Sequence, residues 1–475
     1  MSLLLLPDLF LLLLGVLVLA LDLLHAKKPS ASGSFHLSWT GLLLIFALLL
    51  ALPYDQQFVW LGSYQVSGTS LLCKQLFILS ALFTVWLARP YFRSGGNKRG
   101  RLAYQGEFYG IIIFASVGMF AVVSAGDLLT LFIGMELATI PLYILAGYHK
   151  NDHRASEAAM KYIVMGSLAT GFMLFGLSFL YGAAGALDFA ALKQAAMAAP
   201  ASPLLGLGVC FIIAAVGFKL TLFPFHMWAP DVYDGAPTPV TAFIAVSSKA
   251  TAIIFFLILF HGPLAALHTS LQMPLLLLAG ATMTAGNLGA LRQTRLRRFM
   301  GYSAIAQAGY LTMALVGPRA AAWSSILYYL LVYAAANFAA FFLIAIVGRD
   351  REEEFSSLRG MGKQNPGLAA VLMLTMFSLG GIPPLAGFLG KFLLFAAAAQ
   401  QGYYAMVVFA ALNSTISLYY YLLLVKEAYI NEASEARPML TVEPLQRTCL
   451  ALLTTAMILL GLWPGYSDFV VTVLR

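Results

Sequence analysis

The sequence has very little charge for its length. Asp, Glu, Lys and Arg together make up 10% of its 475 residues, whereas apolar residue types make up 61%. A soluble globular domain carries about 25% charged residues, and a domain in water needs charged and polar groups to keep its surface soluble. This shortage of charge excludes a water-soluble protein and is typical of a protein with many membrane-spanning helices.

Cysteine is nearly absent as well. Cys73, Cys210 and Cys449 lie far apart and without Cys-x-x-Cys spacing, which gives no support for a disulfide framework, a zinc site or an iron–sulfur cluster. The seven histidines include no pair at matching depth in two apolar segments, which argues against a haem with two histidine ligands. The net charge is +8, but the basic residues lie in loops between apolar runs, so nucleic-acid binding is not indicated. We therefore expect no cofactor and no metal ion in this chain.

Long apolar runs fill most of the chain. A helix needs roughly 20 apolar residues to cross a bilayer, and the sequence predicts about fourteen such spans, at 3–24, 37–53, 68–88, 107–124, 127–148, 157–181, 203–232, 238–260, 272–291, 300–316, 320–347, 367–399, 402–426 and 447–465. We predict an all-α polytopic membrane protein with a single membrane domain, 1–475, divided into first three spans (3–88), a first repeat (107–260), a second repeat (272–426) and a last span (447–475).

Lys and Arg are distributed unevenly between alternate loops. The loops on one side hold Lys27, Lys28, Arg89, Arg93, Lys98, Arg99, Arg101, Lys150, Arg154, Arg292, Arg295, Arg297, Arg298, Arg349, Arg351, Arg359, Lys363, Lys426, Arg437 and Arg447. The other side has Lys193, Arg319 and Arg475. Because cytoplasmic loops are enriched in basic residues, both termini are expected on the outer side of the membrane.

Four charged residues are predicted near the middle of the membrane. Lys249 lies at the centre of its span, Lys219 and Lys391 lie beside proline-containing breaks, and Glu136 is the acidic residue at mid-depth. An ionised side chain at the bilayer centre costs roughly 2.5–3.5 kcal/mol, so these groups must form ion pairs, line water or lose their charge. One such lysine can have a purely structural role, but four charged groups at similar depth favour proton transfer.

Two other intramembrane lysines lie close to the starts of their helices. Lys74 and Lys161 are within one or two turns of a helix start. Because a lysine has a long apolar stem, both ammonium groups can extend to the membrane interface.

Two spans are interrupted by proline. Pro224 and Pro230 lie in the seventh span, and Pro383 and Pro384 lie in the twelfth. Proline removes a backbone donor, and irregular backbone at membrane depth is tolerated where it is buried in protein or lines a water-filled cavity. The breaks are five spans apart, so spans 4–8 and 9–13 can form two inverted five-helix repeats with broken helices 7 and 12. His226 follows the first break and is a candidate proton relay, although a single histidine is more often structural.

Several stretches resemble the antiporter-like, proton-pumping membrane subunits of respiratory complex I. The most specific is FKLTLFPFHMWAPDVYDGAPTPVT at 218–241, which is followed by Ser248-Lys249. EAAMKY at 157–162, GYS at 301–303 and GGIPPLAGF at 380–388 are similar to the same family. The resemblance covers nearly the whole chain and is greatest to the subunit N group of bacterial NADH–quinone oxidoreductases.

The resemblance implies roles for the buried charged residues. Glu136 and Lys219 would form a modulating ion pair, Lys249 would be the central relay, and Lys391 would exchange protons with the outside. Lys391 also favours the subunit N group over subunit M, which usually has glutamate there. Gln307 departs from the family, because many relatives have histidine at this position. An amide cannot accept and release a proton, so proton transfer through span 10 would require water.

The resemblance also implies partners and leaves alternatives open. The expected partners are the complex I subunits M, K and J, the lateral helix of subunit L, and the lipid bilayer. NADH, FMN, iron–sulfur clusters and quinone would then belong to partner subunits. A subunit of a multisubunit cation/proton antiporter is the first alternative. A self-sufficient transporter of an organic solute and a non-conducting scaffold subunit are two others.

Overall fold

The computed structural model describes residues 3–24, 31–93, 105–432, 439–463 and 465–474. Seven of the basic residues used above to predict the orientation lie outside these ranges, namely Lys27, Lys28, Lys98, Arg99, Arg101, Arg437 and Arg475.

Nearly all of the described chain is helical. The helices in the first half are α1 (Leu6–Leu24), α2 (Ala31–Ala51), α3 (Gly68–Arg93), α4 (Gln105–Val123), α5 (Leu128–Ala146), α6 (His153–Ala184), α7 (Phe189–Ala198), α8 (Pro203–Leu220), α9 (Trp228–Gly235), α10 (Thr238–Phe243) and α11 (Lys249–Phe260). Those in the second half are α12 (His268–Ala290), α13 (Leu296–Ala314), α14 (Arg319–Asp350), α15 (Met361–Gln364), α16 (Pro366–Gly380), α17 (Ala386–Ala399), α18 (Tyr404–Tyr429), α19 (Pro444–Leu462) and α20 (Gly465–Leu474).

The predicted membrane spans are present. Within the described ranges, twelve helices are long and apolar enough to cross a membrane, with α10 and α11 continuous through one π-helical turn. The tenth span is α13, in which polar residues such as Arg297 and Gln307 lower the mean hydropathy. The twelfth consists of α16 and α17, each too short to span alone. The predicted all-α, multi-pass membrane fold is therefore confirmed.

Both predicted breaks occur, and they have the same local geometry. Helix α8 ends at Leu220 and the chain resumes as α9, while α16 ends at Gly380 and resumes as α17. The residue after each end, Thr221 (φ 65°) or Gly381 (φ 86°), is left-handed. In each case the next amide donates to a carbonyl one turn back, as in a Schellman motif. The shared pattern supports the predicted inverted repeat.

The helices at the centre of the protein are the most enclosed. In the most apolar 18-residue stretch of each span, 94% of the residues of Thr238–Phe260 and 89% of those of Arg319–Arg349 are buried, compared with 33% in each of the first two spans and 28% in α19. This distribution suits a bilayer, because lipid covers apolar side chains, while polar groups must find partners inside the protein. Lys249 lies on the more enclosed of these two spans.

Several elements of the described chain were not predicted from the sequence. A two-stranded antiparallel hairpin, β1 (Phe58–Trp60) and β2 (Tyr64–Val66), precedes α3. Helix α7 lies between α6 and α8, and α20 follows α19.

Arg297, assigned to a loop by its sequence position, is instead 2% exposed and forms an ion pair with Glu353 at 2.5 Å.

Gly387 allows the two halves of the second broken helix to approach closely. A Cβ atom at Gly387 would lie 1.7 Å from the carbonyl oxygen of Ser378. Gly387→Ala must shift backbone, and overpacking of this kind costs about 1–3 kcal/mol or more. We expect a clear reduction in folded protein extracted from membranes, measured by size-exclusion chromatography. Gly367→Ala is the matched control, because nothing lies within 4 Å of a Cβ atom there. Equal yields of the two variants would contradict the prediction.

Candidate functional site

The predicted ion pair between Glu136 and Lys219 is present. Glu136 lies at the middle of α5, which begins after Asp127, whose side chain caps the helix by accepting from the amide of Thr130. Lys219 is the penultimate residue of α8. Its Nζ lies 3.1 Å from Oε1 of Glu136, and the two side chains are 2% and 13% exposed. Burial and direct contact make each charge dependent on the other, because removing one partner leaves the other uncompensated.

Two threonines form further hydrogen bonds with this pair. The ammonium group of Lys219 also donates to Oγ1 of Thr139, at 3.0 Å. The hydroxyl of Thr170 donates to Oε2 of Glu136, also at 3.0 Å. Thr139 follows Glu136 by three residues and so lies on the same face of α5. Thr139 could have been identified from the sequence, because its hydroxyl lies one helical turn from an acidic residue at mid-membrane depth. It was not among the predicted site residues.

Lys249 lies at the first break without a carboxylate partner in the described part of the chain. It follows the π-helical turn Ile244–Ser248 and is 1% exposed. Its Nζ donates to Oγ1 of Thr221 at 2.5 Å and to the carbonyl oxygen of Leu220 at 3.3 Å. π-Helical turns are rare and occur frequently at functional sites. The structure thus places the ammonium group of Lys249 against Leu220, the residue that follows Lys219 in the chain.

Lys391 lies at the second break, on α17, the second half of the broken helix itself. It is 4% exposed, and its Nζ donates to the carbonyl oxygen of Gly380 at 3.1 Å. A second bond goes to Oγ of Ser414 at 3.0 Å, and the ammonium group lies 5.0 Å from the centre of the Tyr310 ring. No ion pair to Lys391 occurs among the described residues.

Lys249 and Lys391 therefore share one electrostatic arrangement. Each ammonium group binds the last carbonyl of a half-helix, Leu220 of α8 or Gly380 of α16. The C-terminal end of a helix carries a partial negative charge that stabilises a cation. A lysine held by such carbonyls and a hydroxyl can lose its proton without leaving a buried carboxylate unpaired. Each half-helix end can thus hold a lysine in either protonation state.

His226 lies in the irregular segment between α8 and α9. It is 7% exposed, its ring stacks on that of Phe223 with centroids 5.6 Å apart, and its Nδ1 is buried without a hydrogen-bond partner in the described structure. The described side-chain hydrogen bonds do not connect it to Glu136, Lys219, Lys249 or Lys391. Its suggested relay role remains a prediction.

The expectation that Lys74 extends to the interface is wrong. Its side chain is fully buried, and its Nζ lies 2.8 Å from Oδ1 of Asp8, near the start of α1. The hydroxyl of Tyr64 donates to the same carboxylate. The side chain of Lys161, in contrast, is 40% exposed, as expected for a lysine that extends to the interface. It forms ion pairs with Glu157 and Asp231.

No metal centre accompanies these groups in the described residues. Within the described ranges, no three His, Cys, Asp or Glu side chains are grouped closely enough to bind a metal ion. The site consists of two broken helices, three buried lysines and one carboxylate that is 13% exposed, all within a membrane protein.

This fold and site define an antiporter-like membrane subunit. Residues 125–417 match a family model described as the transmembrane region of NADH:quinone oxidoreductase and Mrp antiporter proteins. The matched region includes both broken helices and the four charged residues. The chain belongs to this family.

The most informative relatives share almost the full length of the chain. It is 36% identical to "NADH-quinone oxidoreductase subunit N" of Moorella thermoacetica, over 95% of this chain and 93% of the relative. It is 35% identical to a protein of the same name from Rhodospirillum rubrum, over 90% and 88%. Among solved structures, a chain of respiratory complex I from Thermus thermophilus has a TM-score of 0.80 and 33% identity, covering 97% of both chains. A chain of the Mrp complex from Dietzia sp. shares the fold, with a TM-score of 0.86 and 19% identity over 99% and 97%.

Proposed function

We propose that this chain is a proton-translocating membrane subunit, of the subunit N type, in an NADH–quinone oxidoreductase. Identity of 36% to a subunit N over nearly the full length supports the assignment to this enzyme. The observation that carries the proton-transfer role is the ion pair of Glu136 and Lys219 inside the membrane protein. Lys249 donates to the carbonyl of Leu220, the residue that follows Lys219 at the end of α8. Because charged side chains inside a membrane are energetically costly, they usually have a functional role.

Proton transfer begins with a change in the ion pair. A charge change in a neighbouring subunit draws Glu136 away from Lys219, and the buried ammonium group, without its counter-ion, releases a proton toward Lys249. Lys249 holds that proton at the carbonyl of Leu220 and passes it on through the interior. Lys391 exchanges it with the outer side. Return of Glu136 to Lys219 favours the ammonium form again and takes up a proton from the cytoplasm.

The redox reaction takes place outside this chain. NADH oxidation through FMN and iron–sulfur clusters, and quinone reduction, belong to partner subunits, and this chain holds no cofactor of its own. Its membrane partners are subunits M, K and J and the lateral helix of subunit L. The uneven distribution of Lys and Arg supports an orientation with both termini on the periplasmic side of a bacterial inner membrane.

A subunit of a multisubunit cation/proton antiporter is the second candidate. The fold shared with a chain of the Mrp complex supports it, but at 19% identity this likeness concerns the fold alone. Affinity purification of the tagged chain distinguishes the two. Co-purification of an NADH-oxidising arm supports the oxidoreductase, and a purely membrane-embedded assembly supports the antiporter.

Lys249→Met tests the proton-transfer function. The variant keeps an unbranched side chain but removes the group that binds the proton, and a positioned proton-transfer group contributes roughly 10²–10⁴-fold to rate. We expect the purified complex in proteoliposomes to pump far fewer protons for each NADH oxidised. Lys193→Met, at an exposed position in α7, is the control and should pump normally. Normal proton yield in Lys249→Met would refute the central role of this lysine.

A further inference from the structure

Trp228 joins the two halves of the first broken helix. It is the first residue of α9 and is 2% exposed. Its indole N–H donates to the carbonyl oxygen of Phe218 at 3.0 Å, ten residues back in the chain and on the other side of the break. Phe218 immediately precedes Lys219. The start of α9 is therefore bonded directly to the turn of α8 that carries the lysine of the ion pair.

The two carbonyls next to Lys219 in the chain both accept side-chain donors. The carbonyl of Phe218 accepts from Trp228, and that of Leu220 accepts from the ammonium group of Lys249 at 3.3 Å. Both belong to the last turn of α8, where carbonyls lack the usual partner within the helix. The backbone that carries Lys219 is thus held from both sides by side chains of other elements.

The indole ring of Trp228 is enclosed by other aromatic rings. It stacks on Tyr162 of α6, with centroids 4.5 Å apart and planes inclined by 11°, and its centroid lies 5.1 Å from that of Phe218. Tyr162 in turn contacts Tyr143 of α5 edge-on, at 4.6 Å. Because aromatic pairs prefer defined geometries, this stack fixes the indole relative to α5, the helix that carries Glu136.

An ion pair also attaches α9 to α6. Lys161 immediately precedes Tyr162, and its Nζ lies 2.6 Å from Oδ2 of Asp231 on α9. The other carboxylate oxygen of Asp231 lies 2.8 Å from a guanidinium nitrogen of Arg298 on α13. Two successive residues of α6 therefore bind α9, one by stacking and one by charge, so α9 is a fixed support for the end of α8.

The second break has no counterpart of the Trp228 bond in the described structure. Ser378 corresponds to Phe218, because each lies two residues before the end of its half-helix and accepts from the amide of the left-handed residue three positions on. No described side chain donates to the carbonyl of Ser378, and the backbone at Gly387 lies against it instead. The bond is thus found at the break whose lysine is held in an ion pair.

We propose that Trp228 is a positioning residue for proton transfer between Lys219 and Lys249. The last turn of a helix frays readily, because the helix itself does not hold its carbonyls. The N–H of Trp228 keeps this turn of α8 in the conformation in which Lys219 contacts Glu136. Misplacement of reacting groups by about 1 Å can cost about 10²-fold in rate. This inference rests on the proposed function, because it names a residue that positions the same ion pair.

An isosteric replacement tests the hydrogen bond separately from packing. In the first variant, benzothienylalanine takes the place of Trp228 through a reassigned codon. Its sulfur atom replaces the indole N–H while the shape of the ring system is nearly unchanged, so the aromatic stack stays in place. The second variant, Trp228→Phe, loses the N–H and part of the packing. We expect both complexes in proteoliposomes to pump several-fold fewer protons for each NADH oxidised, and the isosteric variant to assemble in the wild-type amount.

Two controls accompany these variants. Tryptophan inserted at the same reassigned codon should restore wild-type pumping. Trp323→Phe makes the same change at a buried tryptophan of α14, whose indole forms no hydrogen bond in the described structure. It should pump normally, and immunoblotting gives the amount of chain in each purified complex.

Normal proton yield in the benzothienylalanine variant would overturn the proposal, since packing alone would then suffice. A loss of assembled complex with an unchanged proton yield in the remainder would also overturn it, because the bond would then serve stability only. If Trp228→Phe does not assemble, the isosteric variant decides the question. A wild-type complex that oxidises NADH without pumping would instead refute the proposed function.

Discussion

Glu136→Gln and Lys219→Met are each expected to abolish most proton pumping by the assembled complex. Glu136→Gln keeps the shape of the side chain and the bond from Thr170, but it removes the charge that holds Lys219 at 3.1 Å. Lys219→Met removes the ammonium group itself. Because a positioned proton donor or acceptor contributes roughly 10²–10⁴-fold to rate, we expect a reduction of at least about tenfold in protons pumped for each NADH oxidised. The measurement is acidification or alkalinisation of proteoliposomes during NADH oxidation.

The double variant Glu136→Gln/Lys219→Met separates proton transfer from stability. Removing one member of a buried ion pair destabilises a protein by about 3–5 kcal/mol, whereas replacing both members is often neutral. The double variant should therefore assemble at least as well as Lys219→Met alone and still fail to pump. Recovery of pumping together with assembly would show that the pair has only a structural role. Lys193→Met again serves as the exposed control.

Lys74→Met is expected to destabilise the N-terminal helices. It leaves the carboxylate of Asp8 with only the hydroxyl of Tyr64 as its described partner, after loss of bonds at 2.8 and 2.9 Å to Lys74. Lys74 itself is fully buried between α1 and the aromatic rings of Tyr64 and Phe120. An unpaired buried charge costs about 3–5 kcal/mol. The amount of chain in the purified complex should fall accordingly, as measured by quantitative immunoblotting.

The control for Lys74→Met is a double variant that also removes the charge of Asp8. Asp8→Leu/Lys74→Met removes both charges and places apolar side chains in their positions, so assembly should recover to near the wild-type amount. Proton yield in the recovered complex should be normal, because this pair lies in the first three spans, apart from both broken helices. A double variant that assembles but pumps poorly would contradict a purely structural role and add Asp8 and Lys74 to the proton pathway.

Much of the site could be predicted because membrane burial makes each charge conspicuous. Glu136, Lys219, Lys249 and Lys391 were identified as isolated charges within apolar runs, and the pairing of Glu136 with Lys219 agrees with the structure. Their neutral partners were not identified. Thr221 and Ser414 are ordinary residues in the sequence, and only packing shows that they accept hydrogen bonds from the lysines. A hydroxyl costs little inside a helix, because it can bond to its own backbone, and so its position gives no comparable signal.

The sequence by itself determined the membrane class, the spans and the two breaks, because the length of apolar runs, the position of proline and the cost of buried charge are local properties. The tertiary structure alone decided which groups meet across the chain. Lys74 pairs with Asp8 instead of reaching the interface, and Gln307 is bound by Tyr329 and Tyr421. These contacts depend on how helices distant in sequence pack together. Helix packing is set by the shape of many side chains at once, and no single segment of the sequence contains it.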